Sequence, residues 1–509
     1  MKKNILIALI LQCLYISTMA QTNGQVLFDL AGLFNEADLI TPTDNERYFT
    51  TPEGLYSHTQ VMDIPASNQA NLIHKILIIV DSTLYSELSS EINRYAYDAH
   101  YVYGCNVIME QVDCETCQDI KSLILNYQSD LDGCVFIGDI APAWYEAIDV
   151  ISGNILRNWP CDLYYMDLAN STWIDQDNNG IFDLYSGDMK PEIFVGRIST
   201  SNMGNLIEEN NGMRSYMNKN HKYWIGHRNV NKKYGLAYTN LSWQHLGFFS
   251  NDISALYGSV NKNSYTPSNL PTFGKADYLN RINNDKYEFV QLASHSDSTK
   301  HVQFYGSTGN TITGQEIYSN GIKSIGFNLF CCSACRWTAA TQNNAYLAGD
   351  YIYSPESKAL CAVGSTKVGS MYPFDDFYNS LGNEKTIGQA LVDWWNGDSY
   401  QQPSIDSTLC WFFGLTIIGD PLVNFFHCTN STCQDHLTLH SYNTSNSPLS
   451  YYLTSESINV SPLSGSFTIP TGDHCILNAP TVHINGQFEC PLGSSLEILN
   501  EGCQQNCDE

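Results

Sequence analysis

His295 and Cys332 are the residues whose types and spacing best suit covalent chemistry. His295 lies in Leu292-Ala293-Ser294-His295-Ser296, and Cys332 lies in Cys331-Cys332-Ser333-Ala334-Cys335-Arg336. An imidazole beside a thiol eases thiolate formation and can later protonate a leaving amine. Each run follows an apolar stretch of strand type, Phe289–Leu292 before the histidine and Ile325–Phe330 before the cysteine. Open α/β sheets collect ligands at the carboxyl ends of their strands. The 37-residue separation leaves room for one crossover between neighbouring strands. The plain reading of the same residues is a polar loop histidine and a set of disulfide-bonded cysteines.

A second constellation suits a hard cation. Asp175, Asp177, Asn179, Gly180, Ile181 and Asp183 fall at positions 1, 3, 5, 6, 7 and 9 of an EF-hand-like loop, with Ile181 offering its carbonyl. Alternate oxygens on a tight turn can wrap calcium, and the glycine permits the turn. Position 12 holds Ser186 in place of the bidentate glutamate, so Asp188 or a distant carboxylate must complete the shell. Calcium with a structural role is expected; the plain reading is an acidic turn. Cys114-Glu115-Thr116-Cys117 has redox or metal-binding spacing, and the expectation there is a structural disulfide or two separately paired thiols.

The elements that must position these residues follow from periodicity. Short apolar runs at Ile76–Val80, Val107–Met109, Cys134–Gly138 and Ile193–Gly196 alternate with helical patterns over 90–101, 119–131 and 205–219. Continuous apolar strands between helices predict a parallel sheet covered on both faces. The pattern restarts at Tyr234–Ala237, Phe289–Leu292, Ile325–Phe330 and Leu360–Gly364, with a helix over 386–395. The expected fold is α/β, with two adjacent three-layer αβα units at 71–225 and 226–428. The tail, 434–509, has period-2 pieces such as Ile458-Asn459-Val460 and is expected to form a small β-rich domain.

Residues 1–20 read as a signal peptide, with Lys2-Lys3 before an apolar run and small residues up to Ala20. Residues 21–70 are then an N-terminal segment or prosegment. The apolar stretch Trp411–Cys428 is interrupted by Gly419-Asp420-Pro421, so no membrane span is expected. The product is expected to be secreted or at the cell surface. A net charge of −27 repels phosphate backbones, which excludes nucleic acid as a partner. Of seventeen cysteines one, Cys13, lies in the signal; the other sixteen in an exported chain argue for disulfides, with Cys428/Cys433, Cys475/Cys490 and Cys503/Cys507 as staples for the tail.

Ser294-His295-Ser296 after one strand and Cys332 after another resemble the motifs of the caspase–gingipain–clostripain–legumain clan, and the gingipain-like cysteine peptidases most closely. Asp175–Gly180, Pro191-Glu192-Ile193-Phe194-Val195-Gly196-Arg197, Gly364-Ser365-Thr366-Lys367 and Ile418-Gly419-Asp420-Pro421 occur in that family's order, so the resemblance covers about residues 70–425. It implies a cysteine endopeptidase acting on protein or peptide through an acyl-enzyme. Cys332 matches the nucleophile, while the caspase-like Ala334-Cys335-Arg336 points to Cys335. Glu192 matches an acidic residue behind the histidine. The N–H groups of Ser296 and Cys332 would form the oxyanion hole, with Ser296 standing where the family usually has glycine. A catalytically inactive surface or binding protein of the same fold, or a calcium-dependent adhesin, are the alternatives.

Overall fold

The computed structural model describes residues 55–65, 74–148, 155–227, 234–240, 243, 253–259, 261–265, 274–284, 286–302, 311–339, 345–397, 412–426, 433–443 and 449–504. The signal-peptide segment 1–20, residues 21–54, Cys428 and Cys507 lie outside the described residues.

The apolar runs become strands of one central sheet. In chain order these are β1 (Ser57–Ile64), β2 (Lys75–Asp81), β3 (Asn106–Asp113), β4 (Leu131–Ile137), β5 (Phe194–Ile198), β6 (Gly235–Thr239), β7 (Lys262–Tyr265), β8 (Phe289–Ala293), β9 (Gly326–Phe330), β10 (Cys361–Ser365) and β11 (Leu415–Gly419). Their spatial order is β1-β3-β2-β4-β5-β11-β10-β9-β8-β6-β7. Most neighbours are parallel; β1 against β3 and β11 against β10 are antiparallel. This is the α/β architecture with a β-rich tail that the periodicity predicts.

Three elements differ from the sequence reading. β1 adds an antiparallel edge strand from within the N-terminal segment. β7 forms the opposite edge. β11, drawn from the apolar stretch before Asp420, lies between the earlier and later strands, parallel to β5 and antiparallel to β10. That reversal gives the carboxyl ends of β6, β8, β9 and β10 the same sheet edge as the amino ends of β5 and β11.

Helices cover the sheet where caps and apolar faces agree. α1 (Ser82–Tyr97) starts where the Asp81 carboxylate accepts from the Leu84 N–H at 2.8 Å. It buries Leu84, Leu88 and Ile92 on one face. α2 (Cys117–Asn126) opens on a Thr116/Asp119 capping box, and α4 (Ile387–Asn396) on a Thr386/Gln389 box; α3 (Glu209–Trp224) lies between them in sequence. Asp420 shows why a charge interrupts the apolar run. Its buried carboxylate accepts from Tyr95 on α1, from Asn220 and Trp224 on α3, and from the Leu422 N–H. Gly419 before it has φ +94°, and a Cβ there would stand 2.0 Å from the Leu360 carbonyl oxygen. No helix among the described residues is long and apolar enough to cross a membrane.

Among the described residues eleven cysteines are thiols, nine of them buried, so for these the expectation of a mainly oxidised set is corrected. Cys105, Cys134, Cys161 and Cys361 are buried in the core as small apolar residues, the usual place of a structural thiol. Cys114 and Cys117 are thiols as well, and burial pushes Cys117 up to about 12. In the tail, Cys433 pairs with Cys503. The proposed partners Cys428 for Cys433 and Cys507 for Cys503 are therefore wrong, and Cys475 and Cys490 are not bridged. The bond joins the two ends of the tail, a long-range pairing that local spacing cannot reveal.

The tail winds as a parallel coil. Leu437 pairs with Ile458, which pairs in turn with Val482, and Ser450 pairs with Cys475, which pairs with Leu496. Phe467 and Phe488 stack on successive turns at 5.7 Å. One side of this coil docks on the α/β core. Tyr451 packs on Tyr101, and the Gln504 N–H donates to the Ile225 carbonyl. At the centre of the junction His221 of α3 is 2 % exposed, with Nδ1 2.7 Å from Asp98 and Nε2 3.1 Å from Glu501 of the tail.

Burial alone would lower the His221 pKa, but the charges and hydrogen bonds of Asp98 and Glu501 outweigh it and the neighbouring Arg94, leaving it raised. Burial likewise raises Asp98, so the pair retains its proton as pH increases. The hydrogen bond from His221 holds Glu501 below the ordinary carboxylate range. A raised histidine stabilises fully below its unfolded value of about 6.5, and that contribution disappears as pH rises through the folded value. The Glu501 contribution has the opposite sign and is lost only in acid. Between pH 6 and 9 the tail junction should therefore loosen on the alkaline side, read as faster hydrogen exchange, corrected for intrinsic rates, at the Gln504 N–H that donates to the Ile225 carbonyl. His221→Gln should flatten this dependence; an unaltered slope in that variant would remove His221 from the junction's pH response.

Candidate active site

The register of β8 on β9 runs from Phe289 opposite Gly326 to Ala293 opposite Phe330. His295 and Cys332 are each two residues beyond the last pair, so adjacent strands, about 4.8 Å apart, deliver them at the same level. The Ser294 N–H donates to the Phe330 carbonyl at 3.2 Å, extending the ladder towards the two residues. The Ser296 hydroxyl donates to the Cys332 carbonyl at 2.6 Å, tying the histidine turn to the cysteine turn. His295 is 4 % and Cys332 is 7 % exposed. Ser296 lies in a short antiparallel strand opposite His301, an extended backbone open to any residue. A glycine-only conformation is not required there.

The chain turns sharply after Cys332. Ser333 takes φ +56°, a region that non-glycine residues rarely enter. The turn lets the Ser333 N–H donate to the Lys367 carbonyl at 2.8 Å and the Cys335 N–H to the Ser365 carbonyl at 3.0 Å. Gly364–Lys367 thereby becomes the wall beside the cysteine. Cys332 is a thiol, as are Cys331 and Cys335. Burial pushes the thiols of Cys331 and Cys335 strongly up, which suits core packing better than nucleophilic attack.

Glu192 stands just before β5, on the same sheet edge as the dyad, with β11, β10 and β9 between it and β8. Its exposed carboxylate accepts from the N–H groups of Leu168 and Ala169 at 2.7 and 3.3 Å. The hydrogen bonds of Glu192 thus go to that loop rather than to His295.

Asp162, Thr416, Trp337 and Trp243, which surround the site, carry no signal of their own in sequence. Asp162 is buried, and Arg197 on β5 donates to it from Nε at 3.0 Å and from Nη2 at 2.8 Å. Thr416 on β11 donates to the same carboxylate at 2.6 Å. Trp337, five residues after Cys332, lies over the guanidinium at 4.4 Å. Trp243, beyond the end of β6, packs its indole on the His295 ring with centroids 5.1 Å apart.

The acidic loop gains a partner from elsewhere. Glu146 lies on Trp144–Ile148, held beside the loop by paired hydrogen bonds between Glu146 and Phe182 and between Phe182 and Trp144. One carboxylate oxygen of Glu146 accepts from Asn179 at 3.1 Å; the other is buried without a hydrogen-bond partner among the described residues. Ligand atoms of Glu146, Asp177 and Asp183 lie within 4.8 Å of one another. Asp175 instead accepts from the N–H groups of Asn179 and Gly180, shaping the turn. Burial, with Asp177, Asp183 and Asp175 nearby, raises the Glu146 pKa.

A family model described as Peptidase family C25 matches residues 74–426. A search of curated proteins returns no match.

The buried ion pair beside the site generates a stability test. Removing one partner of such a pair leaves an uncompensated charge, at a cost of about 3–5 kcal/mol. Asp162→Ala should lower the unfolding free energy by roughly that amount, measured by denaturant titration. The double variant Asp162→Leu/Arg197→Met should regain much of the loss; equal instability of both proteins would show that charge burial is not the dominant cost.

Proposed function

This chain belongs to peptidase family C25, a family of cysteine peptidases, and from that premise we propose that it is an exported endopeptidase using Cys332 as nucleophile and His295 as proton carrier. The observation that supports this reading is that the two residues each stand two positions beyond the last pair of adjacent parallel strands, with the Ser296 hydroxyl bonded to the Cys332 carbonyl. His295 takes the thiol proton as Cys332 Sγ attacks the scissile carbonyl carbon. Collapse of the tetrahedral species breaks the C–N bond, and the imidazolium returns its proton to the leaving amine. Water, deprotonated by the same imidazole, then hydrolyses the thioester. The backbone N–H groups of Ser296 and Cys332 are the proposed oxyanion donors. Glu192, through the N–H groups of Leu168 and Ala169, supports the segment leading to the acidic loop. The basic start and apolar run of residues 1–20 support export.

Cys332→Ala should reduce hydrolysis of a peptide library by a hundredfold or more, on the order expected when nucleophile or general base is lost. Cys335→Ala should leave turnover while altering stability. Turnover lost in Cys335→Ala and kept in Cys332→Ala would reverse the assignment. Absence of turnover in wild-type protein would favour a silent member of the family.

The same reading includes a structural calcium ion at the acidic loop, held by Asp177, Asp183, Glu146 and the Ile181 carbonyl, with Asp175 and Asn179 shaping or completing the shell. The all-oxygen donor set and the buried unpartnered oxygen of Glu146 fit a hard cation. An ion bound only by the folded state stabilises it by mass action, about 2.7 kcal/mol at a hundredfold excess over Kd. Chelation should therefore lower the melting temperature, and Glu146→Gln should abolish most of that response. Superimposable melting curves with and without chelator would argue against the ion.

A further inference from the structure

We propose that Trp243 is a positioning residue for His295, holding the imidazole in its productive orientation and stabilising the imidazolium through the indole face. This inference rests on the reading of His295 as the proton carrier.

Three parallel neighbours, β6, β8 and β9, end at one edge with Thr239, Ala293 and Phe330 in line. Beyond that level, β9 leads to Cys332 and β8 to His295. The chain leaving β6 is turned back by two backbone hydrogen bonds, from the Asn240 N–H to the Ala293 carbonyl at 2.8 Å and from the Trp243 N–H to the Asn240 carbonyl at 3.0 Å. The turn brings Trp243 over the end of β8, where its indole reaches both His295 and, on β9, Phe330. The rings of Trp243 and His295 are tilted by 34°, and the indole meets Phe330 edge-on at 4.9 Å. Phe330 itself packs on Phe374. Trp243 is 2 % exposed, so its orientation is set by packing.

A thiol peptidase requires two things of its histidine: a fixed ring direction and tolerance of positive charge. A carboxylate hydrogen-bonded to an imidazole can meet both needs. An aromatic face meets them differently. The indole blocks ring rotation by contact, and its electron-rich face attracts a cation by about 0.5–2 kcal/mol, depending on desolvation. Neutral imidazole gains little from that face. The stabilisation therefore acts mainly when the proton is on His295, during attack and leaving-group departure, and should appear in kcat rather than KM.

The test compares Trp243→Phe with Trp243→Leu. Leu fills much of the volume without an aromatic face, so kcat should fall about tenfold with KM nearly unchanged, while Phe should retain most of kcat. Uniform incorporation of fluorinated tryptophan, which weakens the aromatic face and keeps its shape, should lower kcat in wild type but not in Trp243→Phe. This second comparison decides the matter if the Leu variant fails to fold. Equal kcat in folded Phe and Leu variants, or a fluorination effect that persists in Trp243→Phe, overturns the proposal. Iodoacetamide labelling of Cys332 separates the two levels. Labelling and turnover present in wild type, with Trp243 variants unaffected, overturn this inference alone. A Cys332 that labels no faster than the Cys332→Ala background overturns the dyad and the inference with it.

Discussion

Arg197 places a full positive charge inside the protein, 4 % exposed, and the fold around it is arranged to answer that charge. Asp162 meets it with both carboxylate oxygens, the Ile140 carbonyl takes a further donor, and Trp337 covers the guanidinium. These partners come from four stretches of chain. Arg197 is on β5, Thr416 reaches Asp162 from β11, Asp162 follows the strand Ile155–Pro160, and Trp337 follows Cys332. An ion pair taken out of water is tolerated only with near-complete hydrogen bonding. The pair therefore fixes the relative position of the earlier strands, the inserted β11 and the turn after Cys332.

That constraint explains two short motifs. Gly196 beside Arg197 is glycine because Pro421 packs where a Cβ would stand, 2.6 Å away. Asp420, next to that proline, collects donors from α1, α3 and its own loop. Two charges thus sit at the seam between β5 and β11, each fully engaged. Once the seam is set, β10, β9 and β8 follow by register, and the dyad arises at the end of that sequence of pairings. The Ser296 hydroxyl and the aromatic packing of Trp243 then brace the reactive residues.

The tail is joined to this core by a different kind of contact. Its coil buries a small core of its own, including Ile458, Val460, Phe467 and Leu477. Its docking face combines aromatic packing with a buried His221 between two carboxylates. Hydrophobic contact supplies attraction without direction, whereas the paired charges permit one register of tail on core.

Much of the α/β core was legible from local pattern. Runs such as Ile76–Val80 have to be buried strands, because five consecutive apolar side chains need cover on both faces. His295 and Cys332 stand out on the same ground, as reactive types placed just beyond the ends of such runs. What local pattern could not express were relations between distant segments. The antiparallel insertion of β11 is decided by how the chain returns after its last helix. The Cys433–Cys503 bond, the approach of Glu146 to the acidic loop and the parallel stacking of the tail join residues tens of positions apart, with no periodic signal at the joints. Trp243 illustrates the limit: a lone tryptophan after a strand reads as core, and only the three-strand register places it on His295. Sequence by itself determined which segments must be buried and which side chains can react, since burial and reactivity belong to residue types. Tertiary structure decided the neighbours, because register and strand order depend on the packing of the whole sheet.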